Sequence, residues 1–164
     1  MVESLLEWFK GIPEELVIFL ISMLPILELR GGLIAASLLG VEWAVAFPIC
    51  IIGNILPIPF VLFFFNKIIA WLKTTKLFGK FATKMEERAK QKGKKIENAK
   101  FLGLLLFVGI PLPGTGGWTG AAAAALLNMR VKKSAPAILL GIILAGVIMS
   151  VLAYFIPGLF GFSF

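Results

Sequence analysis

Four long apolar stretches dominate the chain, at 16–39, 43–65, 101–127 and 134–156. The second and fourth run for about 23 residues. At ~1.5 Å per residue each can cross the ~30 Å hydrocarbon core of a bilayer as a helix. The first and third are interrupted midway, at LPILELRGG (24–32) and at PLPGTGGWTG (111–120). Pro25 before the charges and Gly31 and Gly32 after them predict that the first helix breaks there, and Pro111, Pro113 and the glycines that follow predict the same in the third. The halves left by each break are about 10–12 residues long and reach only the midplane. Pro13 followed by Glu14 and Glu15 reads as a helix start. Leu5, Leu6, Trp8 and Phe9 among charges predict a short interfacial helix over 1–10.

Residues 16–56 align without gaps on 104–144, an offset of 88. Thirteen of the 41 positions are identical, including Pro25/Pro113, Pro48/Pro136, Gly32/Gly120 and Gly53/Gly141. Leu and Ala matches are cheap in such a composition; the Pro and Gly matches carry the argument for an internal repeat. Each copy then holds one broken run and one spanning run, about 16–65 and 101–156, joined by a linker over 66–100 within a single membrane domain of 1–164.

Charge selects the topology. The net charge is +7, with no His and a single Cys, Cys50. Residues 66–100 carry eleven Lys or Arg against three Glu, and Arg130, Lys132 and Lys133 cluster at 128–133. If the broken runs crossed the membrane, these two basic segments would lie on opposite faces. If they are re-entrant hairpins, both lie on one face, as the positive-inside bias requires. The expected fold is therefore an all-α integral membrane protein with two re-entrant helical hairpins and two spanning helices in an inverted repeat. It sits in the plasma membrane with both termini outside and the linker and 128–133 cytoplasmic. Ile68, Ile69, Trp71, Leu72, Leu77, Phe78, Phe81 and Met85 among the linker lysines fit helices on the inner-leaflet surface, in contact with anionic lipids and not with nucleic acid. Gly93 interrupts any helix there. The acidic N-terminal segment lacks the basic region of a cleaved signal peptide.

Polar chemistry concentrates at the two breaks. Glu28 and Arg30 are charges at membrane depth, which cost about 2.5–3.5 kcal/mol each on insertion scales and mark ion or substrate pathways. Arg30 suits bidentate contact with phosphate or carboxylate. At Glu28, burial favours the neutral acid and Arg30 favours the carboxylate, so the group is placed to gain and lose a proton or exchange Na⁺. The plainer reading is an ion pair that only holds the tip. In the second break, Gly114, Gly116 and Gly117 allow a tight turn, and the Ala-rich helix after it presents its N-terminus toward an anion, beside Thr115, Trp118 and Thr119. The alternative for 121–125 is close packing through small residues. Asn54 could bond a ligand or serve backbone groups freed by Pro57 and Pro59. Gly141 and Ala145 form a small-xxx-small packing pair, and Cys50 reads as an inert core thiol. No cofactor or metal site is expected, and without His or a paired acid and base an enzyme is not expected either.

LPILELRGG and PLPGTGGWTGAAAAALL, with the four-block layout, resemble the small multidrug export protein family over nearly the whole chain. The resemblance implies export. The twin hairpins are more remotely similar to the DedA and VTT membrane proteins, a group with charged hairpin tips whose members carry undecaprenyl phosphate or scramble phospholipids. With the polar tips, these lead to the expectation of a small secondary transporter for an amphiphilic anion such as a lipid-linked phosphate, coupled through Glu28 to protons or Na⁺, and the thin apolar shell of so few crossings around polar tips suggests a homodimer. The alternatives are an exporter of hydrophobic cations, with Trp118 supplying cation–π attraction, and a non-transporting membrane organiser or assembly factor.

Overall fold

A computed structural model of the chain describes residues 11–74 and 98–156. The segment expected as an interfacial helix over 1–10, and 75–97 of the basic linker with Gly93, lie outside the described residues. Those described are helical: α1 Glu14–Met23, α2 Glu28–Leu38, α3 Trp43–Ile55, α4 Ile58–Lys73, α5 Asn98–Gly109, α6 Gly117–Leu126 and α7 Val131–Ser150, which ends in a π-helical turn at Val151–Phe155. Among the described residues two helical stretches are long and apolar enough to cross a membrane, Trp43–Ile68 and Val131–Phe155. The first includes a turn at Leu56 and Pro57 between α3 and α4, where two prolines within three residues remove ladder donors. By contrast α1, α2 and α6 have only 10 or 11 residues.

The chain divides into two compact units, one drawn from Met1–Asn54 and Gly146–Phe164, the other from Ile55–Ala145. In the first, α1 and α2 are joined by the turn at 24–27 and pack against each other. Their contact is set by Gly32: a methyl group there would meet Ser22 Oγ at 1.9 Å, Cys50 Sγ at 3.0 Å and the Ile18 carbonyl at 3.2 Å. Gly53 of α3 approaches the same helix, with the Phe19 carbonyl 2.7 Å from its would-be Cβ. Ser22 donates to the Ile18 carbonyl (2.7 Å) and its side chain also bonds the Cys50 thiol, so α1, α2 and α3 meet at one small polar knot. Gly31 and Gly32 thus lie inside α2 and do not break it; the break falls before them, at Leu24 to Leu27. The π-helical turn docks on this unit through Ser37, which donates to the Ala153 carbonyl (2.8 Å), and Tyr154, which donates to the Val41 carbonyl (3.0 Å).

The second unit repeats this construction. A methyl group on Gly120 of α6 would lie 2.4 Å from Val108, with Leu104 and Ile138 behind it, and one on Gly141 of α7 would lie 2.8 Å from the Leu105 carbonyl. Lys100 donates to the Leu127 carbonyl (2.7 Å), tying the far ends of α5 and α6 together. The glycine contacts pair Ser22 with Val108, Ile18 with Leu104 and Phe19 with Leu105, an offset of 86. From the second short helix onward the offset is 88: α2 and α6 end at Leu38 and Leu126, and α3 and α7 begin at Trp43 and Val131. The gapless alignment is therefore two residues out of register along α1 and α5, because the turn of the second copy is longer. Both second helices close identically. Val41 donates to the Ala36 carbonyl and Met129 to the Ala124 carbonyl, across left-handed residues Gly40 (φ +75) and Asn128 (φ +54). Each unit thus contains a pair of short helices, the start of the long helix that follows, and the end of the other copy's long helix.

Candidate functional site

The turn between α1 and α2 is built by Pro25, which cannot donate, and by Leu24, whose extended backbone (ψ 136) ends the helix. Glu28 starts α2, and its N–H donates to the Leu24 carbonyl (2.8 Å). Its φ is +50, a left-handed conformation that glycine adopts freely and a glutamate does not. Glu28 is nevertheless buried, at 5% exposure, with Leu29 beside it at 1%. A carboxylate in the first turn of a helix is favoured by the helix dipole. Arg30, half-buried, lies close enough for the Glu28 charge to act on it. Ile26 at the bend is 93% exposed.

The other turn, 110–116, is held from inside. Thr115 Oγ1 lies 2.8 Å from the Ile110 carbonyl and 2.9 Å from the Leu112 carbonyl, and accepts from Leu112 N–H (3.2 Å). These contacts serve a segment in which Pro111 and Pro113 carry no N–H. Gly114 (φ +80) and Gly116 (φ +151) take backbone conformations that residues with a Cβ rarely adopt, which explains these two glycines of the motif. Gly116 accepts from Gly120 N–H (2.8 Å) and from the Thr119 hydroxyl (3.4 Å), and α6 begins at Gly117 without a side-chain cap. The hydroxyls of Thr115 and Thr119 are thus engaged with carbonyls of the turn. Trp118 is half-buried in the first turn of α6. In the same helix Ala121, Ala124 and Ala125 are buried, as packing through small residues requires.

Asn54 closes the first unit's share of α3. It is 1% exposed, and its Oδ1 meets no hydrogen-bond donor among the described residues. A buried amide oxygen without a donor costs about 1–3 kcal/mol. Serving the backbone freed by Pro57 and Pro59 would engage the Nδ2 side, so the oxygen remains to be accounted for. Ser150 Oγ, also buried, is in the same condition. Cys50 is fully buried, as a core thiol would be.

The geometry brings Glu28 together with Arg30 in one unit, and Gly114, Thr115, Gly116, Gly117 and Thr119 together in the other. Sequence reasoning missed the left-handed Glu28, for which no residue pattern signals, and Ser22, which reads as an ordinary polar residue in an apolar run.

The model of the family described as "Putative small multi-drug export protein" matches residues 28–148, beginning at Glu28 itself. The chain belongs to this family. The match takes in α2, the stretch Trp43–Ile68, the second broken run and α7 as far as residue 148, so Glu28, Arg30 and 114–119 lie within it, while α1 and the turn at 24–27 precede it. With its two apolar helices, the chain is a membrane protein of an export family. Neither the curated proteins nor the solved structures contain a match to it.

Proposed function

We propose that this small multi-drug export family member is a secondary transporter whose two short-helix pairs are re-entrant hairpins in an inverted repeat. One observation carries the reading: Glu28 is a buried carboxylate, held in an unfavourable backbone conformation, at the break between two helices too short to span a bilayer, with Arg30 acting on it. Left-handed backbone at a non-glycine residue costs about 1–3 kcal/mol and persists where function needs it. A tip that only had to turn would be built more cheaply from glycine, as the second turn is. Breaks of this kind in repeated halves are where secondary transporters bind substrate and coupling ions.

In this reading the bend of each hairpin lies at the bilayer midplane. Arg30 and the N-terminus of α6 at Gly117, with Gly114, Thr115, Gly116, Trp118 and Thr119 around it, take the head group of an amphiphilic anion such as a lipid-linked phosphate, as in the DedA-like proteins. Glu28 couples transport to H⁺ or Na⁺ by exchanging its counter-charge, and the Asn54 oxygen offers a second buried acceptor to the coupling ion. The protein works as a homodimer in the plasma membrane with both termini outside and the basic segments cytoplasmic. It is a carrier and not an enzyme. The repeated glycine contacts and helix ends support the repeat; the 10- and 11-residue helices support re-entry.

A second reading, export of hydrophobic cations, is favoured by the family's description. There Glu28 binds cation and proton in competition and Trp118 lends cation–π attraction. Purified protein in liposomes separates the two. Arg30→Ala abolishes uptake of an amphiphilic phosphate in the first reading and improves cation binding in the second. Glu28→Gln removes the dependence on a proton or Na⁺ gradient in both. A carrier whose fluxes ignore both substitutions refutes the site.

A further inference from the structure

The unit drawn from Ile55–Ala145 contains a cavity of about 560 Å³ that lies apart from the hairpin turns. One wall is α4, with Ile58, Leu62 and Phe63; the other is the start of α7, with Val131, Ala135 and Leu139. Along α7 the apolar lining extends eight residues, ~12 Å. Asn66 and Arg130 are the polar side chains on its lining, and Arg130 immediately precedes α7, at the end of the groove that adjoins the basic segment 128–133.

The internal repeat explains why this space is open. With the offset of 88 that the starts of α3 and α7 share, Val131 and Ala135 correspond to Trp43 and Phe47 in the other unit. There the same space is filled. Trp43 packs on Phe47 (ring centroids 5.5 Å apart) and on Phe155 (6.3 Å), Phe47 lies 3.1 Å from the would-be Cβ of Gly146, and the Tyr154 hydroxyl closes onto the Val41 carbonyl. Two large aromatic residues in one copy are thus a valine and an alanine in the other. The charge at the mouth changes as well: Glu42 in the filled copy corresponds to Arg130 in the open one. Both Glu42 and Arg130 are exposed. An unfilled groove of this size in a membrane protein is taken up by something apolar, since empty space forfeits dispersion contacts along its lining. A cation at one end of a 12 Å apolar groove selects an occupant with a negative head and a hydrocarbon chain.

We propose that the groove between α4 and the start of α7 is a binding site for an anionic phospholipid of the leaflet that faces the basic segments. One acyl chain lies along Val131, Ala135 and Leu139, and the head-group phosphate is held by Arg130 and Asn66. Phe63 and Val131, 71% and 50% exposed, form the lateral opening through which the chain passes from the bilayer. The site stands independently of the transport reading, because none of its residues belongs to the hairpin turns.

The experiment is native mass spectrometry of the purified full chain, loaded with phosphatidylglycerol or phosphatidylcholine and activated until loosely held lipid leaves. Wild type retains phosphatidylglycerol in preference to phosphatidylcholine. Val131→Trp with Ala135→Phe rebuilds the packing of the filled copy, so it loses retained lipid while its unfolding temperature is unchanged or raised. Arg130→Gln weakens the preference for phosphatidylglycerol about fivefold, the pull of one surface cation on an anionic lipid, and Arg130→Lys keeps most of it. Glycerol phosphate, which has the head-group charge without the chain, does not displace the lipid. Arg30→Ala, which removes the head-group cation of the transport reading, leaves this retention intact, which keeps the result separate from the transport site. If the filled variant does not fold, Arg130→Gln, at an exposed position, decides alone. Retention that survives filling of the groove, a preference untouched by Arg130→Gln, or a dimer that the filling mutations disperse with lipid retention unchanged each overturns the proposal.

Discussion

Gly32→Ala puts the hairpin packing to a quantitative test. The added methyl lands 1.9 Å from Ser22 Oγ, 3.0 Å from Cys50 Sγ and 3.2 Å from the Ile18 carbonyl. Ser22 can give way only by rotating, which surrenders its 2.7 Å bond to the Ile18 carbonyl inside a fully buried site. Losing that bond costs about 1 kcal/mol. Rotation leaves the sulfur and carbonyl contacts, which are still tighter than ordinary van der Waals distances, and overpacking of this kind costs about 1–3 kcal/mol. Alanine in a helix interior returns about 1 kcal/mol relative to glycine. The net expectation is a loss of about 1–3 kcal/mol in reversible unfolding from mixed micelles. Ser22→Ala removes the closest atom, so the double variant escapes the forced rotation of Ser22 with a coupling energy of ~1 kcal/mol and keeps the strain against the Cys50 sulfur and the Ile18 carbonyl. Gly103→Ala is the control. Nothing lies within 4 Å of its would-be Cβ, so only propensity acts and stability rises by about 0.5–1 kcal/mol. If Gly32→Ala is neutral or stabilising like the control, α1 and α2 do not pack as described.

Three further outcomes follow from the same geometry. Gly53→Ala and Gly141→Ala press on backbone carbonyls at 2.7 and 2.8 Å, Phe19 and Leu105 respectively, so each costs about 1–3 kcal/mol by unfolding and the two losses match; a loss at one site alone contradicts the repeated packing. Glu28→Gly relieves the left-handed strain and is at least as stable as wild type while losing transport; a large fall in stability would show that the Glu28–Arg30 pair only holds the tip. Ser37→Ala leaves the Ala153 carbonyl of the π-helical turn without its hydroxyl donor and lowers stability by about 1 kcal/mol, read as faster amide exchange over 151–156.

Much of the architecture was legible because Pro and Gly act locally. Pro25, and Pro111 with Pro113, mark the two breaks, and Pro13 marks the start of α1, since a missing N–H disturbs the ladder whatever surrounds it. The glycines were harder, because one residue type serves two purposes. Gly114 and Gly116 are where they are for backbone conformation, whereas Gly31 and Gly32 sit inside α2 and Gly32 serves close approach to α1. A sequence does not distinguish these uses. The two-residue shift along α1 and α5 was hidden because Leu16/Leu104 and Phe19/Phe107 match by composition, while the contacts follow Gly32 and Gly120. The candidate site was legible as to residues and not as to state. Glu28 and Arg30 stand out as charges in an apolar run, but the φ of Glu28 and the inward use of the Thr115 hydroxyl depend on the turn that forms around them. The open groove was written in the chain as Trp43 and Phe47 against Val131 and Ala135. It becomes readable only once the packing shows that these positions correspond.

The central claim is that both short-helix pairs turn back inside the bilayer, and sided labelling of single cysteines with a membrane-impermeant maleimide tests it most directly. Glu14 and Glu42 flank the first pair and are exposed; Lys100 and Arg130 flank the second. With Cys50 buried and silent, cysteines at 14 and 42 react from the outer face and cysteines at 100 and 130 from the inner face. Opposite sidedness for 14 and 42 would mean that α1 and α2 cross the membrane together, and the re-entrant carrier would be wrong.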